Sequence, residues 1–188
     1  MPRFDHFNFI SPHYDDWFGG DHSQEWLRLL APPDRGLILD AAGGTGRVAK
    51  TLVKMTTCQI VVADSSLGML KQAIQKKDQQ PVCSLIEALP FPDSSFDRII
   101  MVDALHHVAD QQASAHMLWQ VLRPGGRILI EEPDIRLLGV KLIALGEKIL
   151  QMRSHFLDIG QIMDLYRELP ARITSEAHDG NVWLVIEK

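Results

Sequence analysis

The sequence predicts an α/β fold built on a mostly parallel sheet, and three patterns support this prediction. The segment 37–46 places three apolar residues before Asp40 and small residues and glycines after it, which is the order of a strand followed by a tight turn. A second run, rich in β-branched residues, ends in Asp64, 24 residues after Asp40. The runs 171–177 and 181–187 flank an Asp-Gly pair and predict an antiparallel hairpin.

The composition is typical of a globular domain and excludes several functional classes. The chain has 188 residues, of which 46% are apolar and 23% are charged. Its net charge of −5 gives no overall attraction for nucleic acid, and no run of Lys or Arg forms a phosphate-binding patch. The longest apolar stretch, 137–152, is interrupted by charged residues, so we expect no membrane span.

The cysteines and the first residues of the chain predict a cytoplasmic protein. Cys58 and Cys83 form no metal-type cluster, and we expect both to be reduced and mostly buried thiols. Residues 1–6 lack the pattern of a secretory signal peptide. The sequence therefore predicts no metal site and a reducing environment.

The region before the first strand, residues 4–30, is rich in aromatic side chains and has no strand alternation. We expect Ser23 to cap a helix over 24–30, which Pro32 and Pro33 end. Two interpretations of this region remain open. It is either an arm that packs on the core or a lid over the glycine turn.

The glycine turn predicts a site for a small polar ligand. Glycines let a ligand approach main-chain atoms closely, and the helix predicted over 47–55 would present unpaired N–H groups and a partial positive charge. Residues 44–49 match G-x-G-x-x-A, a dinucleotide pattern that is weak on its own. Asp40 would lie beside the turn, where its charge disfavours a pyrophosphate and is compatible with a zwitterionic or cationic ligand.

The run 40–46, Asp-Ala-Ala-Gly-Gly-Thr-Gly, resembles the first motif of class I S-adenosylmethionine (SAM)-dependent methyltransferases. That motif usually has glycine at position 42, and Ala42 slightly narrows the space beside the amino-acid end of the ligand. The Tyr-Asp pair at 14–15 resembles a segment whose tyrosine lies over the cofactor in many small-molecule methyltransferases. The resemblance implies SAM as the cofactor, S-adenosylhomocysteine (SAH) as the product, and Tyr14 as a cofactor contact.

The strand predicted over 59–64 places Asp64 at its carboxyl end. An acid at this position can accept hydrogen bonds from both ribose hydroxyls. The alternative is that Asp64 caps the next helix, which would begin at Ser65 or Ser66. We predict that this helix extends to about residue 77 and that a third strand covers 81–86.

The loop 87–97, Glu-Ala-Leu-Pro-Phe-Pro-Asp-Ser-Ser-Phe-Asp, closely resembles a stretch of the methyltransferase type 11 family. In that family, backbone and side chains at the start of the loop contact the adenine, and an acid usually stands two residues before the glutamate. Leu85 occupies that position in this chain. The resemblance implies that Ile86, Glu87 and Ala88 contact the adenine, unless Glu87 is only a solvated loop charge.

The fourth strand is predicted over 97–102, and Asp103 and Ala104 follow it at the edge that lines the ligand crevice. The Leu-His-His-Val run at 105–108 also resembles the type 11 family. Adjacent histidines cannot point the same way on a regular element, which disfavours a His-His metal site, and such a pair is more often structural than catalytic. If one of them acts on the substrate, we expect His107 to serve as a general base or hydrogen-bond donor.

The remaining elements would complete a Rossmann-like sheet. A helix is predicted over 111–122, and the Leu-x-Pro-Gly-Gly turn that ends it resembles the family's reversal into a fifth strand, here over 127–132. The segment 137–152 is either a packed helix or a helix that also walls a hydrophobic substrate pocket. A short helix is predicted over 159–167, and the final hairpin would complete the family's seven-stranded, mostly parallel sheet with helices on both faces.

Together these motifs imply one SAM-dependent methyltransferase domain over 1–188. It would comprise an N-terminal arm or lid at 1–30, a cofactor-binding core at 35–133, and substrate-side helices with the closing hairpin at 134–188. The expected reaction transfers the sulfonium methyl to a small, partly hydrophobic molecule, carried out by a monomer or homodimer with no nucleic-acid partner. Two alternatives remain: a catalytically silent SAM-binding relative that acts through a protein partner, and an NAD(P)-dependent oxidoreductase.

The expected catalytic residue is His107. The expected cofactor contacts are Tyr14, Asp40, Ala41, Ala42, Gly43, Gly44, Gly46, Asp64, Ser65, Met69, Ile86, Glu87, Ala88, Asp103 and Ala104.

Overall fold

The computed structural model describes residues 22–138, 140–141 and 154–188. Its strands are β1 (Leu37–Ala41), β2 (Gln59–Asp64), β3 (Gln79–Cys83), β4 (Phe96–Val102), β5 (Leu122–Pro133), β6 (Arg172–His178) and β7 (Asn181–Glu187). They form one seven-stranded sheet in the order β3-β2-β1-β4-β5-β7-β6. Strands β1 to β5 pair in parallel, whereas β7 is antiparallel to both β5 and β6. The predicted fold class is confirmed.

Helices cover both faces of the sheet. Helices α1 (Ser23–Leu30), α2 (Arg47–Met55) and α3 (Leu67–Ile74) contribute to the apolar cluster on one face. Helices α4 (Gln111–Val121) and α5 (Ile159–Asp164) contribute to the cluster on the other. Successive residues of a strand point to opposite faces, so within β1 Ile38 belongs to the first cluster and Leu39 to the second.

The parallel pairing brings the carboxyl ends of three central strands to one edge. Ala41 of β1 is level with Ala63 of β2, and Asp40 is level with Ile100 of β4. Asp40, next to the last residue of β1, and Asp64, the last residue of β2, therefore lie near the residues that follow β4. This edge is where open α/β sheets bind their ligands.

Strand β3 and the helix before it are shorter than predicted. β3 covers Gln79–Cys83 rather than 81–86, because pairing with β2, from Gln79 opposite Ile60, determines its position. Helix α3 ends at Ile74 rather than near residue 77. Since β3 is an edge strand, Cys83 is exposed, and the prediction that both cysteines are buried is correct only for Cys58.

Two predicted turn features also need correction. Ser23 does not cap α1: the cap position is His22, no side chain bonds there, and Ser23 is the buried first residue of the helix. Strand β5 begins at Leu122 rather than at residue 127. Phe96 pairs with Leu122 and Arg98 pairs with Arg127, so the Pro-Gly-Gly segment is an irregularity within the strand pairing.

Two predicted substrate-side features lie largely outside the described residues. These are the arm or lid before residue 22, which includes Tyr14, and most of the apolar segment 137–152. In the part of the chain that the structure describes, no helix has the length and apolar character needed to cross a membrane.

Candidate active site

A cavity of about 370 Å³ opens at the carboxyl edge of the sheet. Its walls come from the glycine turn after β1 and from the segments that follow β2, β3 and β4. Twelve of the predicted site residues line it: Asp40, Ala42, Gly43, Gly44, Asp64, Ser65, Met69, Ile86, Glu87, Asp103, Ala104 and His107.

Three predicted contacts are not among the residues that line this cavity. Ala41 is 1% exposed. It packs in the core cluster on one face of the sheet, whereas Ile38 packs in the cluster on the other face. Gly46 is the cap residue of α2, where Gln79 lies against it. Ala88 ends a short 3₁₀ turn, Ile86–Ala88, and is exposed.

The glycine turn is closely packed against the acid that precedes it. A Cβ on Gly43 would lie 2.5 Å from the Asp40 carboxyl carbon, so only glycine fits there. Ala42 has φ = +54°, a left-handed conformation that is unfavourable for alanine and accounts for the usual glycine in the resembled motif. Behind the turn, Lys76 Nζ donates to the Thr45 carbonyl at 2.7 Å.

Asp40 is a buried support of this turn. It is 1% exposed, and its Oδ2 accepts the backbone N–H of Ala49 in the first turns of α2 at 3.1 Å. Burial raises the pKa of the Asp40 carboxyl to about 7. The carboxyl group therefore links the end of β1 to α2 while facing the cavity.

Asp64 orders two turns at once. Its Oδ2 accepts the N–H of Gly44 at 2.9 Å, and its Oδ1 accepts the N–H of Ser66 at 2.7 Å. The cap of α3 is Ser66, whose hydroxyl accepts from Met69 N–H, so the alternative role of Asp64 as helix cap is not what the structure contains. Asp64 therefore lines the cavity while its two oxygens accept N–H groups from both turns.

The segment after β3, residues 84–87, forms one wall of the cavity. Leu85 lines it while remaining 58% exposed, and Ile86 is buried. Glu87 Oε1 accepts the N–H of Asp110 at 3.0 Å, which joins this loop to the start of α4 and makes Glu87 more than a solvated charge. The Ser84 hydroxyl oxygen is buried and has no hydrogen-bond partner among the described residues. Ser84 thus brings an unpartnered hydroxyl to the cavity wall.

A buried glutamate shapes the segment after β4. Glu132 Oε1 accepts the N–H groups of Ala104 and Leu105 at 2.9 and 2.7 Å. Its Oε2 lies 2.5 Å from His106 Nδ1. Glu132 therefore holds the turn that places the next residue, His107, at the cavity.

The two adjacent histidines have different surroundings, as predicted. His106 is buried against Glu132 and stacks on Phe156, with ring centroids 4.1 Å apart. His107 lines the cavity, and its Nδ1 lies 3.2 Å from the Ser154 hydroxyl. Burial and the neighbouring His106 lower the pKa of His107 to about 3, so its ring is neutral at physiological pH. Across the described ranges, no group of His, Cys, Asp and Glu side chains could hold a metal ion.

Eight residues line the cavity although the sequence analysis did not predict them as site residues: Thr45, Arg47, Val48, Ser66, Ser84, Val102, Val108 and Ala109. One of them carried a detectable signal. A cation at the first position of a helix opposes the helix dipole, so Arg47, at the start of α2, is placed there at some cost.

The residues that form the site coincide with a known domain. Residues 39–130 match the type 11 family described as "Methyltransferase domain". This region of the chain is therefore similar to the methyltransferase family. SAM is the cofactor that this family implies, and both Asp64 and Ser84 place polar groups in the cavity wall.

The methyltransferase domain is similar to longer proteins. A ubiquinone/menaquinone biosynthesis C-methyltransferase from Enterobacter sp. (strain 638) is 36% identical over 104 residues, which are 50% of this chain and 41% of that protein. The chain thus matches less than half the length of this relative.

Solved structures share the fold of the methyltransferase domain. A SAM-dependent methyltransferase from Thermotoga maritima aligns with a TM-score of 0.80 and 20% identity, covering 97% of this chain and 98% of the other. A Haloferax volcanii protein solved in complex with the Trm112 methyltransferase activator aligns with a TM-score of 0.80 and 15% identity, covering 98% of both chains. These comparisons favour neither the oxidoreductase nor the silent-relative alternative.

Proposed function

We propose that this domain binds SAM in the cavity and transfers its methyl group to a small, partly hydrophobic acceptor. The observation that carries the proposal is the joint position of the Asp64 carboxylate and the glycine turn in one wall, with His107 lining the same cavity. This is the arrangement that the resembled motifs imply for a nucleoside ligand. Asp64 holds the ribose hydroxyls, and the segment 84–87 contacts the adenine.

The charge of the cavity suits SAM. Its described lining includes the carboxylates Asp40, Asp64, Glu87 and Asp103, against a single guanidinium, that of Arg47. SAM carries a sulfonium, an ammonium and a carboxylate, so its net charge is positive. A pyrophosphate-containing dinucleotide would instead bring negative charge next to these acids.

The chain's residues align the reactants rather than activate them. When bound, SAM supplies a methyl group already activated by its positive sulfur. The protein holds the acceptor in line and excludes water. With a pKa of about 3, His107 is a weak base at neutral pH, so its role is to hydrogen-bond the acceptor.

The acceptor is proposed to be partly apolar because the cavity wall near His107 is apolar. Val102, Ala104 and Val108 line this part, next to the buried Leu105. The Enterobacter relative, named for ubiquinone and menaquinone biosynthesis, is consistent with an aromatic acceptor. The net charge of −5 argues against nucleic acid as the acceptor.

The test has two stages. Isothermal titration calorimetry with SAH measures binding to the site, with NADH as the comparison ligand. Methyl-labelled SAM is then incubated with a panel of hydroquinones, phenols and small amines, and mass spectrometry identifies methylated products. SAH binding followed by methylation of one acceptor class supports the proposal. Binding of NADH but not of SAH would overturn it, and SAH binding without any product would leave only the cofactor assignment standing.

A further inference from the structure

The sheet ends in two edge strands, β3 and β6, and they differ in their capacity to pair with another strand. β3 has five residues, and Pro81 interrupts its row of N–H donors. β6 has seven residues, contains neither proline nor glycine, and pairs with β7 over its whole length without a shift in register. In the part of the chain that the structure describes, no strand pairs with the outer edge of β6.

The turn that joins β6 to β7 determines which backbone groups of β6 point outward. The two-residue loop 179–180 has φ values of +51° and +85°, so His178 and Asn181 are the hydrogen-bonded pair that closes the hairpin. Hydrogen-bonded and non-hydrogen-bonded pairs alternate along antiparallel strands, so the even-numbered residues of β6 bond to β7. The next strand agrees with this pattern, because the even-numbered Lys188, directly after β7, bonds instead to the segment 125–126 of β5.

The odd-numbered residues of β6 therefore direct their backbone N–H and C=O groups away from β7. These residues are Ile173, Ser175 and Ala177. A row of such groups at the edge of a sheet is a template for pairing with another strand. A strand that pairs with β6 would bond to these residues.

The side chains on one face of β6 are ordered so that the strand complements itself. Arg172, Thr174 and Glu176 alternate along β6 and share one face of the sheet. If two copies of β6 pair antiparallel about Thr174, each Arg172 lies directly opposite Glu176 of the other copy. In the same register Ile173 is level with Ser175 of the other copy, and both are residues with outward-facing backbone groups, as hydrogen bonding requires.

Both charges have room for this additional partner. Arg172 is 81% exposed, and its Nε lies 3.9 Å from Glu187 Oε2, beyond hydrogen-bonding distance. Glu187 is instead bound by Arg127 at 2.5 Å. Glu176 accepts from Arg28 at 2.6 and 3.1 Å and is 44% exposed, so a second cation can approach it. Opposite charges directly across an antiparallel pair are stabilising, whereas like charges are destabilising.

We propose that the outer edge of β6 is a self-association surface, through which two copies of this chain form a symmetric dimer with one continuous sheet. Pairing about a twofold axis at Thr174 closes at two copies and forms no open polymer. Pairing along one strand edge buries little surface, so the dimer forms at high protein concentration and dissociates on dilution. No described residue of β6 lines the cavity, so the inference does not rest on the proposed function.

The test uses two charge reversals that complement each other. Sedimentation equilibrium over concentrations up to about 1 mM measures the dissociation constant of the dimer. Arg172→Glu places two glutamates opposite each other, and Glu176→Arg places two arginines opposite each other, so each variant alone should raise the dissociation constant at least tenfold. An equimolar mixture should restore the dimer, because every charge of one variant then faces the opposite charge of the other.

A backbone variant and a control complete the design. Ser175→Pro removes an outward N–H but none of the hydrogen bonds to β7, so it should weaken the dimer without unfolding the hairpin. Arg167→Glu reverses the charge of an arginine that is 75% exposed and pairs with Asp164 near the end of α5. This control should leave the dissociation constant unchanged.

Each outcome decides the inference. A wild-type protein that stays monomeric up to about 1 mM would overturn it, as would a dimer that Arg172→Glu and Ser175→Pro leave intact. A mixture of the two charge variants that stays monomeric would refute pairing about Thr174. Circular dichroism verifies the fold of each variant, and if Glu176→Arg fails to fold, the other two variants still decide the result. SAH binding, measured in parallel, should be the same for wild type and monomeric variants, so failure of the dimer leaves the proposed function standing.

Discussion

Trp26 and Glu131 are joined by a buried hydrogen bond of 2.6 Å between residues 105 positions apart. The same carboxylate accepts from Asn181 Nδ2 at 2.8 Å and lies 2.5 Å from His22 Nδ1. Glu131 is 1% exposed, so it connects α1, β5 and β7 away from water. This one side chain therefore ties α1 to the sheet.

We expect Glu131→Gln to destabilise the fold by about 1–3 kcal/mol, because the amide cannot accept from all these donors and leaves at least one buried group unpaired. Chemical denaturation measures the change in the free energy of unfolding. Glu176→Gln is the matched control: Glu176 pairs with Arg28 at 2.6 Å on the surface, and losing such an exposed pair costs about 0.2–1 kcal/mol. Equal effects of the two substitutions would contradict the role given to Glu131.

The sequence was informative wherever a local pattern determines the structure. The β-branched run before Asp64 predicted β2 with its observed bounds, Gln59–Asp64. Strand β3 was misplaced because Gln79–Cys83 contains a proline and two glutamines, and it is a strand only through pairing with β2. Likewise, the glycines of the first motif predicted the turn after β1. The side-chain contacts of Glu131 and Glu132 could not be predicted in this way, because they join residues at least 26 positions apart in the sequence.

Asp64→Ala should weaken SAH binding by tens-fold or more. The ribose would lose two hydrogen bonds to a charged acceptor, each worth about 1.5–3 kcal/mol. The structure adds a second cause, since the carboxylate also holds the N–H groups of Gly44 and Ser66 in the cavity wall. Calorimetry measures the affinity, and a thermal scan verifies folding. Unchanged affinity in a folded variant would refute the ribose assignment.

Leu85→Asp should tighten SAM binding by up to about tenfold, the value of one charge-assisted hydrogen bond to the adenine amino group after desolvation. Leu85 is 58% exposed in the cavity wall, so an introduced carboxylate would lose little hydration there. Ile74→Asp adds the same charge at a site 66% exposed at the end of α3 and should leave the affinity unchanged. Weaker binding by folded Leu85→Asp would mean that the adenine does not lie beside this residue.

Ala42→Gly should stabilise the protein by about 1 kcal/mol. Ala42 has φ = +54°, and a left-handed conformation costs a residue with a Cβ roughly 1–2 kcal/mol, part of which is offset by the greater freedom of glycine in the unfolded chain. Ala113→Gly in α4 is the control with the opposite expectation, a loss of about 0.5–1 kcal/mol. Thermal unfolding of both variants provides the comparison. A destabilised Ala42→Gly variant would show that the turn gains more from the methyl group than it loses in strain.

Asp40 should make the ligand-free protein less stable as the pH rises from about 4 to about 7. Burial raises its pKa in the folded state to about 7 from an ordinary value of 3.8. Between these values the folded protein retains a proton that the unfolded chain has lost, so stability falls by up to about 1.4 kcal/mol per pH unit. Asp40→Asn preserves an acceptor for the Ala49 N–H but does not titrate.

The measurement is the difference in unfolding free energy between wild type and Asp40→Asn across this pH range, so that titrations shared by both proteins, such as those of Asp103 and His107, cancel. The wild-type value should decline relative to the variant as the pH rises, and level off above about pH 7.

The same comparison with Asp97→Asn should show the opposite pH dependence of the unfolding free energy. Burial acts to raise the pKa of Asp97, but hydrogen bonds from Leu37 N–H and Arg123 outweigh it and lower the pKa, so wild type loses its advantage over this variant as the pH falls below about 4. Parallel pH profiles for wild type and Asp40→Asn would mean that the Asp40 carboxyl is solvated in the folded protein, in conflict with its 1% exposure.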